Sequence, residues 1–215
     1  MEITNRAIIS FLKEKEFSAG FIDSLKIKYR SLICPFIDLL DRVQPGDKVG
    51  DIGCGNGQFL LLVSEFTQPS YLFGIEIFDR LIINARKLFK GFSKCPSEFM
   101  LYDGKNFPEK LQEMDIVFLI DVIHHVPVIQ QEGFFKQLSN KLKPGARLII
   151  KDINGASPLV IFNKLHDFIF SREIGHELSL VKTVGILEKN EFSILEQKKR
   201  RMYVYPHFTI VAQKK

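Results

Sequence analysis

A glycine-rich turn between an apolar strand and a helical run constrains the fold of this chain more than any other feature. Residues 49–59 read VGDIGCGNGQF, so a short apolar strand is followed by glycines at alternating positions and then by the helical run QFLLLVSEF. Glycine lets the backbone turn sharply and approach a ligand where a Cβ would collide. Because a helix N-terminus directs unpaired N–H groups into such a turn, the segment predicts a cradle for a nucleotide-like cofactor.

The spacing of these glycines argues against a dinucleotide. The dinucleotide fingerprint G-x-G-x-x-G would need a glycine where this chain has Gln58. The pattern is instead D-x-G-x-G-x-G, with Asp51 two residues before Gly53. A carboxylate at that place repels a pyrophosphate and attracts a cation. S-adenosylmethionine (SAM), which carries an ammonium group and a sulfonium centre but no phosphate, fits the pattern better.

The motif DIGCGNG resembles the first motif of class I SAM-dependent methyltransferases, and the chain is similar to their small-molecule branch, near the quinone-biosynthesis methyltransferases. The resemblance covers roughly residues 30–152 and implies SAM as methyl donor and S-adenosyl-L-homocysteine as product. One departure is Gly50, where the family usually has a bulky apolar residue. That change affects strand packing and leaves the loop intact.

Strands and helical runs alternate over most of the chain, which predicts a parallel α/β sheet. After the fifth strand the alternation ends, because two helical runs are followed by two strand-like runs with only a short link. A short link permits an antiparallel pair and excludes a crossover helix. The predicted strands are 48–52, 71–75 reaching Glu76, 97–101, 115–120, 147–150, 193–199 and 207–212.

The predicted fold class is therefore α/β, a Rossmann-like class I methyltransferase fold with a mostly parallel seven-stranded sheet and a C-terminal antiparallel strand pair. One domain spans residues 1–215, since this length suits a single core. Its predicted parts are N-terminal helices (1–43), a SAM-binding core (44–152), a helical substrate lid (153–190) and the terminal strand pair (191–215).

Acidic residues stand at the ends of four successive strands, where ligands of such sheets bind. Asp51 ends strand one, and Glu76 ends strand two, where a carboxylate is placed to accept both ribose hydroxyls. Asp103 follows strand three and Asp121 ends strand four. One such acid alone is explained equally well as a helix cap, but four of them with the glycine loop favour SAM binding over a purely structural protein.

The resemblance implies a role for each part of this site. Asp51 and the glycine loop would hold the methionine part, Glu76 the ribose and Asp103 the adenine amine, while the loop after strand four would border the methionine part. Arg30 is a candidate for the cofactor carboxylate, with a solvated helix face as the equal alternative. The predicted cofactor-binding residues are Arg30, Asp51, Gly53, Cys54, Gly55, Asn56, Gly57, Glu76, Ile77, Asp103, Gly104, Asp121 and Val122.

Methyl transfer depends mainly on positioning, and it needs a general base only when the nucleophile must lose a proton. The predicted residues for proton handling are His125 after strand four, Asp152 after strand five and His166 in the lid. His124 is predicted to cap a helix or pack under the adenosine. Lys151 is expected to be held away from the sulfonium, because their like charges repel.

The predicted lid and a basic run each have two interpretations. Leu159, Phe162, His166 and Ile169 form one helical stripe, which is either core packing or the lining of a pocket for an apolar acceptor. If its apolar face is exposed, that face could contact a membrane. The run KKRR at 198–201 is attributed to protection of an edge strand, because no aromatic residues interleave with it as in a nucleic-acid site.

Composition adds weaker constraints. The net charge of +5 falls short of a nucleic-acid signature, and three cysteines without C-x-x-C or zinc spacing predict a reduced, cytoplasmic protein with no metal site. No segment is long and apolar enough to span a bilayer, and the N-terminus lacks a signal-peptide pattern.

The functional hypothesis is methyl transfer from SAM to a small, apolar or aromatic acceptor, which could be lipid-like. The alternatives are an RNA or protein methyltransferase that recruits its substrate with the basic run, and a SAM-binding partner subunit without an acceptor of its own. The sequence names neither the acceptor, nor the methylated atom, nor the oligomeric state.

Overall fold

The computed structural model describes residues 3–14, 29–171 and 175–215, with the side chains of 166–171 outside that description. Seven strands form a mixed sheet that is mostly parallel and has a C-terminal antiparallel pair, which confirms the predicted fold class. Contacts divide the chain into two compact units, Met1–Gly104 and Lys105–Lys215. The assignment of one domain to residues 1–215 stays a prediction.

The first unit contains three parallel strands in the order β3-β2-β1. Helices connect them, and a single-turn 3-10 helix at Arg30–Leu32 precedes the second helix. The elements are α1 (Asn5–Lys13), α2 (Phe36–Leu40), β1 (Lys48–Ile52), α3 (Gln58–Phe66), β2 (Tyr71–Glu76), α4 (Asp79–Phe92) and β3 (Ser97–Leu101).

Packing in this unit fixes where the site lies. Helix α3 is apolar and buried along most of its length, whereas α4 buries one stripe that includes Ile82, Ala85 and Phe89. Strand β2 has Gly74 opposite Asp51 of β1. A Cβ at Gly74 would lie 2.7 Å from Phe99 Cδ1 and 2.8 Å from Cys54 Sγ, so only glycine fits there.

The second unit contains four strands in the order β4-β5-β7-β6. Strands β4 and β5 are parallel, and β7 is antiparallel to both of its neighbours, β5 and β6. The elements are β4 (Ile116–Ile120), α5 (Val128–Lys141), β5 (Arg147–Ile153), α6 (Val160–Ser171), α7 (Leu180–Lys189), β6 (Phe192–Met202) and β7 (Tyr205–Lys214), with 3-10 turns at Glu109–Glu113 and Ile123–His125.

The predicted end of strand five was wrong. Strand β5 continues through Lys151 and Asp152 to Ile153, because each of these residues pairs with β7, and both charged side chains are buried inside the sheet. Strands β6 and β7 are also longer than predicted. Of the predicted N-terminal helical region, residues 15–28 lie outside the described part of the chain.

No helix among the described residues is long and apolar enough to cross a membrane.

Candidate functional site

The glycine loop after β1 has the backbone conformation that its sequence predicts. Gly53, Gly55 and Gly57 have φ angles of 76°, 54° and 78°, in the left-handed region that favours glycine. The N–H groups of Gly53 and Cys54 donate to the carbonyl oxygen of Ile75 at 2.8 and 3.0 Å, which anchors the loop to β2. The loop therefore leaves β1 as a tight turn that leads directly into α3.

The glycines of the loop serve different purposes. A Cβ on Gly57 would lie 3.0 Å from Phe89 Cε2 and 3.2 Å from Ala85 Cβ, so Gly57 permits close packing of the loop on α4. A Cβ on Gly55 would meet no atom of residues 3–14, 29–171 or 175–215 within 4 Å. Gly55 thus borders open space on the side where a ligand could approach the backbone.

Glu76 holds the loop from the end of β2. Its Oε2 accepts a hydrogen bond from the Gly55 N–H at 3.0 Å, and its Oε1 accepts from the N–H groups of Ile77 and Phe78 at 2.7 and 3.2 Å. The next two side chains are apolar but exposed, at 52% for Ile77 and 59% for Phe78. A buried carboxylate thus stands beside an exposed apolar surface suited to a planar ring.

Asp51 is buried beneath this loop. The pKa of its carboxyl is raised from 3.8 to about 8, chiefly by burial, while the positive charge of Arg30 lowers it and the Glu76 carboxylate adds a smaller rise. A neighbouring positive charge would return this carboxyl to its ionised form. The site is therefore electrostatically prepared for a cation.

Arg30 and Ser31 lie in the 3-10 turn of the first unit. The guanidinium carbon of Arg30 is 5.8 Å from the ring centroid of Phe36, and its charge reaches Asp51. Ser31 is fully buried, and its Oγ makes no hydrogen bond to any residue that the structure describes. Sequence reasoning did not single out Ser31, because a lone serine in a helical segment carries no signal.

Cys54 and Asp103 differ in exposure. Cys54 is buried, and burial raises its thiol pKa well above the usual value, with additional effects from Asp51 and Glu76, so the residue packs rather than reacts. Asp103 is exposed after β3, and Gly104 follows it with a φ of 76°. The neighbouring Tyr102 N–H donates to the Glu76 carbonyl at 2.8 Å, which fixes this segment against β2.

In the second unit, Asp121 directly follows β4 and has a φ of 58°, an uncommon conformation for a residue other than glycine. Its N–H donates to the Lys151 carbonyl at 2.8 Å, and Lys151 Nζ donates to Asp121 Oδ1 at 2.5 Å. Val122 follows, half-buried, before the 3-10 turn. The lysine charge is thus neutralised by Asp121. The expectation that Lys151 is held away from the sulfonium stays a prediction.

His124 and Asp152 form a buried pair that the sequence did not reveal. His124 Nδ1 lies 2.6 Å from Asp152 Oδ1, and Asp152 also accepts from the N–H groups of His124 at 3.3 Å and Ile153 at 2.7 Å. The residues are far apart in sequence, and the underestimated length of β5 hid the connection. Asp152 is therefore engaged by groups of the protein itself.

His125 is exposed beside this pair. Its ring centroid lies 4.1 Å from that of His124, with a tilt of 45° between the planes. The main chain of His124 is held as well, because its carbonyl accepts from the His176 N–H at 2.7 Å, and the His176 carbonyl accepts from Gln131 Nε2 at 2.9 Å. The side chain of His166 lies outside the described residues, so its predicted role stays a prediction.

The segment that follows α6 is held by several polar contacts. Glu177 accepts from Asn163 Nδ2 at 3.1 Å and pairs with Lys164 Nζ at 3.0 Å. The Gly155 N–H donates to the Leu178 carbonyl at 3.0 Å, and a Cβ on Gly155 would lie 2.2 Å from the Glu177 carbonyl oxygen. The later part of the predicted lid (153–190) thus contacts the loop after β5.

The residues of the first unit fit the cofactor that the resemblance implies. Within the described parts of the chain, burial outweighs the Arg30 charge at Asp51, Ser31 Oγ lacks a hydrogen-bond partner, and Gly55 leaves room for close approach. These features suit a ligand that carries a positive charge and polar groups. The individual assignments of residues to parts of the cofactor stay predictions.

Comparisons with known proteins agree with this geometry. The methyltransferase domain family model matches residues 50–150. Phosphoethanolamine N-methyltransferase of Triticum aestivum is 29% identical over 82% of this chain and 33% of its own length, and probable tRNA methyltransferase 9B of Bos taurus is 31% identical over 63% and 27%. The chain spans about a third of the length of the first of these relatives.

Solved structures show the same fold. Magnesium protoporphyrin IX methyltransferase from Synechocystis PCC 6803, solved with bound S-adenosyl-L-homocysteine, superposes with a TM-score of 0.70 at 18% identity, covering 100% of this chain and 96% of the other. The same enzyme with bound SAM gives a TM-score of 0.66. Residues 50–150 therefore match a methyltransferase domain, and the chain resembles the class I SAM-dependent methyltransferases in its glycine loop, its strand-end carboxylates and its fold.

Proposed function

We propose that this chain transfers a methyl group from SAM to a small acceptor, apolar or aromatic in character, in the cytoplasm. The buried Asp51 carboxyl beneath an open glycine loop carries the proposal, because it suits a cationic adenosyl donor and not a diphosphate. SAM supplies a methyl group already activated by sulfonium. The protein then contributes position, charge and exclusion of water.

Each part of the cradle would have its own task. Asp51, Arg30 and the glycine loop would hold the methionine part, with Ser31 Oγ as an additional donor. Glu76 would accept from one ribose hydroxyl through the remaining lone pair of Oε2, since Oε2 accepts one backbone N–H and Oε1 accepts two. Ile77 and Phe78 would cover the adenine, and Asp103 would accept from its amine.

His125 is the proposed general base for an acceptor that must lose a proton. Its ring is exposed, whereas the side chains of His124 and Asp152 are buried and contact each other. The pair would hold the His125 turn in place. Asp152 would therefore position the His125 turn through His124 and would not abstract a proton itself.

A second candidate acceptor is RNA. The relatives named tRNA methyltransferases and the exposed basic run at 198–201 favour it. An RNA acceptor would give binding that weakens steeply with added salt. Binding of a small uncharged acceptor, measured over the same range of salt concentration, would change little.

Calorimetric titration with SAM, NAD and ATP tests the donor. We expect SAM and S-adenosyl-L-homocysteine to bind, and we expect Glu76→Ala to lower SAM affinity by about 1.5–3 kcal/mol because charge-assisted hydrogen bonds are lost. Glu98→Ala is the matched control, since Glu98 is a strand carboxylate that accepts from Tyr71 Oη at 2.6 Å within the strands. Firm binding of NAD or ATP without SAM would refute the proposal.

Turnover with labelled methyl donor against apolar aromatic compounds, phosphoethanolamine and tRNA tests the acceptor. Once an acceptor is found, His125→Asn should lower kcat by roughly 10²–10⁴-fold and leave SAM affinity unchanged. His176→Asn is the control, because that exposed imidazole belongs to the same unit. Equal kcat values for the two variants would remove His125 as the base.

A further inference from the structure

The tip of the β6–β7 hairpin lies at the carboxyl end of β5, where the chain continues towards α6. Ile153, the last residue of β5, pairs with His207, and the Asn154 N–H donates to the Pro206 carbonyl at 2.7 Å. On β6, Arg200 is opposite His207 and Arg201 is opposite Pro206. The tip of the hairpin therefore projects past the carboxyl end of β5, the edge where ligands of such sheets enter.

Four consecutive basic residues approach this tip, and all of their side chains are exposed: Lys198, Lys199, Arg200 and Arg201. Edge-strand protection explains charges along β6. It does not explain the tip itself, where Tyr203 is exposed at 73% and Val204 is exposed beside it. Apolar side chains next to a cationic cluster are typical of a binding surface, not of a protected edge.

Helix α6 presents an apolar face near the same edge. It packs against β7, and it exposes 65% of Ile161 and 54% of Leu165, which lie one turn apart, with Phe162 between them also exposed. Asn163 faces the other way, buried and bonded to Glu177. The helix thus has one side fixed to the protein and an unpartnered apolar side among the described residues.

We propose that these two features form one membrane-binding surface, the edge surface, composed of Ile161, Phe162 and Leu165 of α6 and Arg200, Arg201 and Tyr203 of the hairpin. Its occupant is an anionic lipid bilayer. Basic residues are attracted to anionic headgroups, aliphatic side chains enter the acyl boundary, and tyrosine prefers the interface between them.

RNA fits this combination less well. It would satisfy the arginines and stack on Tyr203, but it offers nothing to the exposed isoleucine and leucine. A bilayer accepts both halves of the edge surface. The inference deepens the proposed function, because the edge surface would let a lipid-soluble acceptor reach the enzyme without crossing water.

Vesicle flotation with the full chain tests the proposal. Phosphatidylcholine vesicles are compared with vesicles in which roughly one third of the lipid is phosphatidylserine. We expect binding to the anionic vesicles to be at least tenfold stronger and to weaken as salt is added. Both Arg200→Glu/Arg201→Glu and Ile161→Ser/Leu165→Ser should lower it about tenfold or more.

Matched controls distinguish the contribution of the edge surface from the effects of overall charge and overall surface hydrophobicity. Lys136→Glu/Lys189→Glu reverses two exposed charges elsewhere on the second unit, and Leu195→Ser removes an exposed leucine near the opposite end of β6. These variants should bind anionic vesicles like the parent chain. Calorimetry with SAM on every variant reports the cofactor site independently, so a failure of lipid binding is distinguishable from a failure of the proposed function.

Three outcomes would overturn the proposal. The first is no flotation with anionic vesicles. The second is an equal loss of binding in the control variants. The third is RNA binding that the arginine variants abolish and the Ile161→Ser/Leu165→Ser variant leaves unchanged, together with weak vesicle binding, since the edge surface would then recognise RNA.

Discussion

The candidate sites of the two units differ in composition, since one consists mainly of backbone groups and the other of paired side chains. In the first unit the candidate site consists mainly of backbone: its glycines have left-handed φ angles, Glu76 accepts a hydrogen bond from the loop, and one carboxyl, that of Asp51, is buried. In the second unit the candidate site consists of paired side chains, Lys151–Asp121 and His124–Asp152. A backbone site is encoded in one short stretch of sequence, whereas a side-chain site depends on partners that the fold must bring together.

This difference has an energetic consequence. Mutations in the glycine loop should change shape and backbone strain locally. Mutations in the paired residues should leave a buried charge without its partner, which is among the most costly defects a protein core can contain. The comparison therefore predicts larger losses of stability in the second unit and sharper losses of ligand binding in the first.

The largest expected effect is in the Lys151–Asp121 pair, and it is asymmetric. Asp121→Asn keeps a residue that tolerates a φ of 58° but leaves the ammonium of Lys151, whose side chain is 1% exposed, without a counter-charge. We expect a loss of about 3 kcal/mol in the free energy of unfolding. Lys151→Met should cost about 1 kcal/mol or less, because Asp121 is 22% exposed and water can solvate it. Denaturant unfolding measures both, and equal costs would contradict the asymmetry.

The same contrast explains what the sequence could and could not predict. Strands β1 and β3 and helix α3 were placed at their observed bounds, because glycines and apolar runs mark them locally. The pairing of His124 with Asp152 had no local signal, since it depends on register across the sheet. The end of β5 was misplaced because a lysine and an aspartate look like a loop, although Ile153 after them continues the strand.

The next prediction separates shape from binding within the glycine loop. Gly57→Ala should lower the free energy of unfolding by about 2–3 kcal/mol, since it combines a left-handed φ with contacts of 3.0 and 3.2 Å to α4. Gly55→Ala should cost only about 1 kcal/mol, because its Cβ meets open space.

Binding should show the opposite order. The added methyl group of Gly55→Ala would occupy the space that the cofactor needs, so SAM affinity should fall at least about tenfold. Folded Gly57→Ala should bind SAM nearly as well as the parent chain. Thermal unfolding measures the stability of the two variants, and calorimetry measures their SAM affinity. If the less stable variant also bound SAM more weakly, Gly55 would not border the cofactor.

The smallest predicted effect concerns pH and tests the buried carboxyl that underlies the first unit's site. The pKa of Asp51 is about 8 in the folded protein, above its ordinary 3.8, so the folded chain holds a proton that the unfolded chain releases. Stability from this group is therefore full below the ordinary pKa and falls as pH rises toward about 8.

Binding of a cation should depend on pH in the other direction. SAM prefers the ionised carboxyl, so its affinity should rise about tenfold between pH 6 and pH 7, where the ammonium group of SAM keeps its proton, and binding at pH 7 should release close to one proton. Calorimetry in two buffers with different ionisation enthalpies counts that proton. Asp51→Asn should abolish both the release and the pH dependence, while Asp47→Asn, a buried acid before β1, should preserve them. A proton count near zero for the parent chain would mean that Asp51 is already ionised, and the cation preference of the cradle would then need another origin.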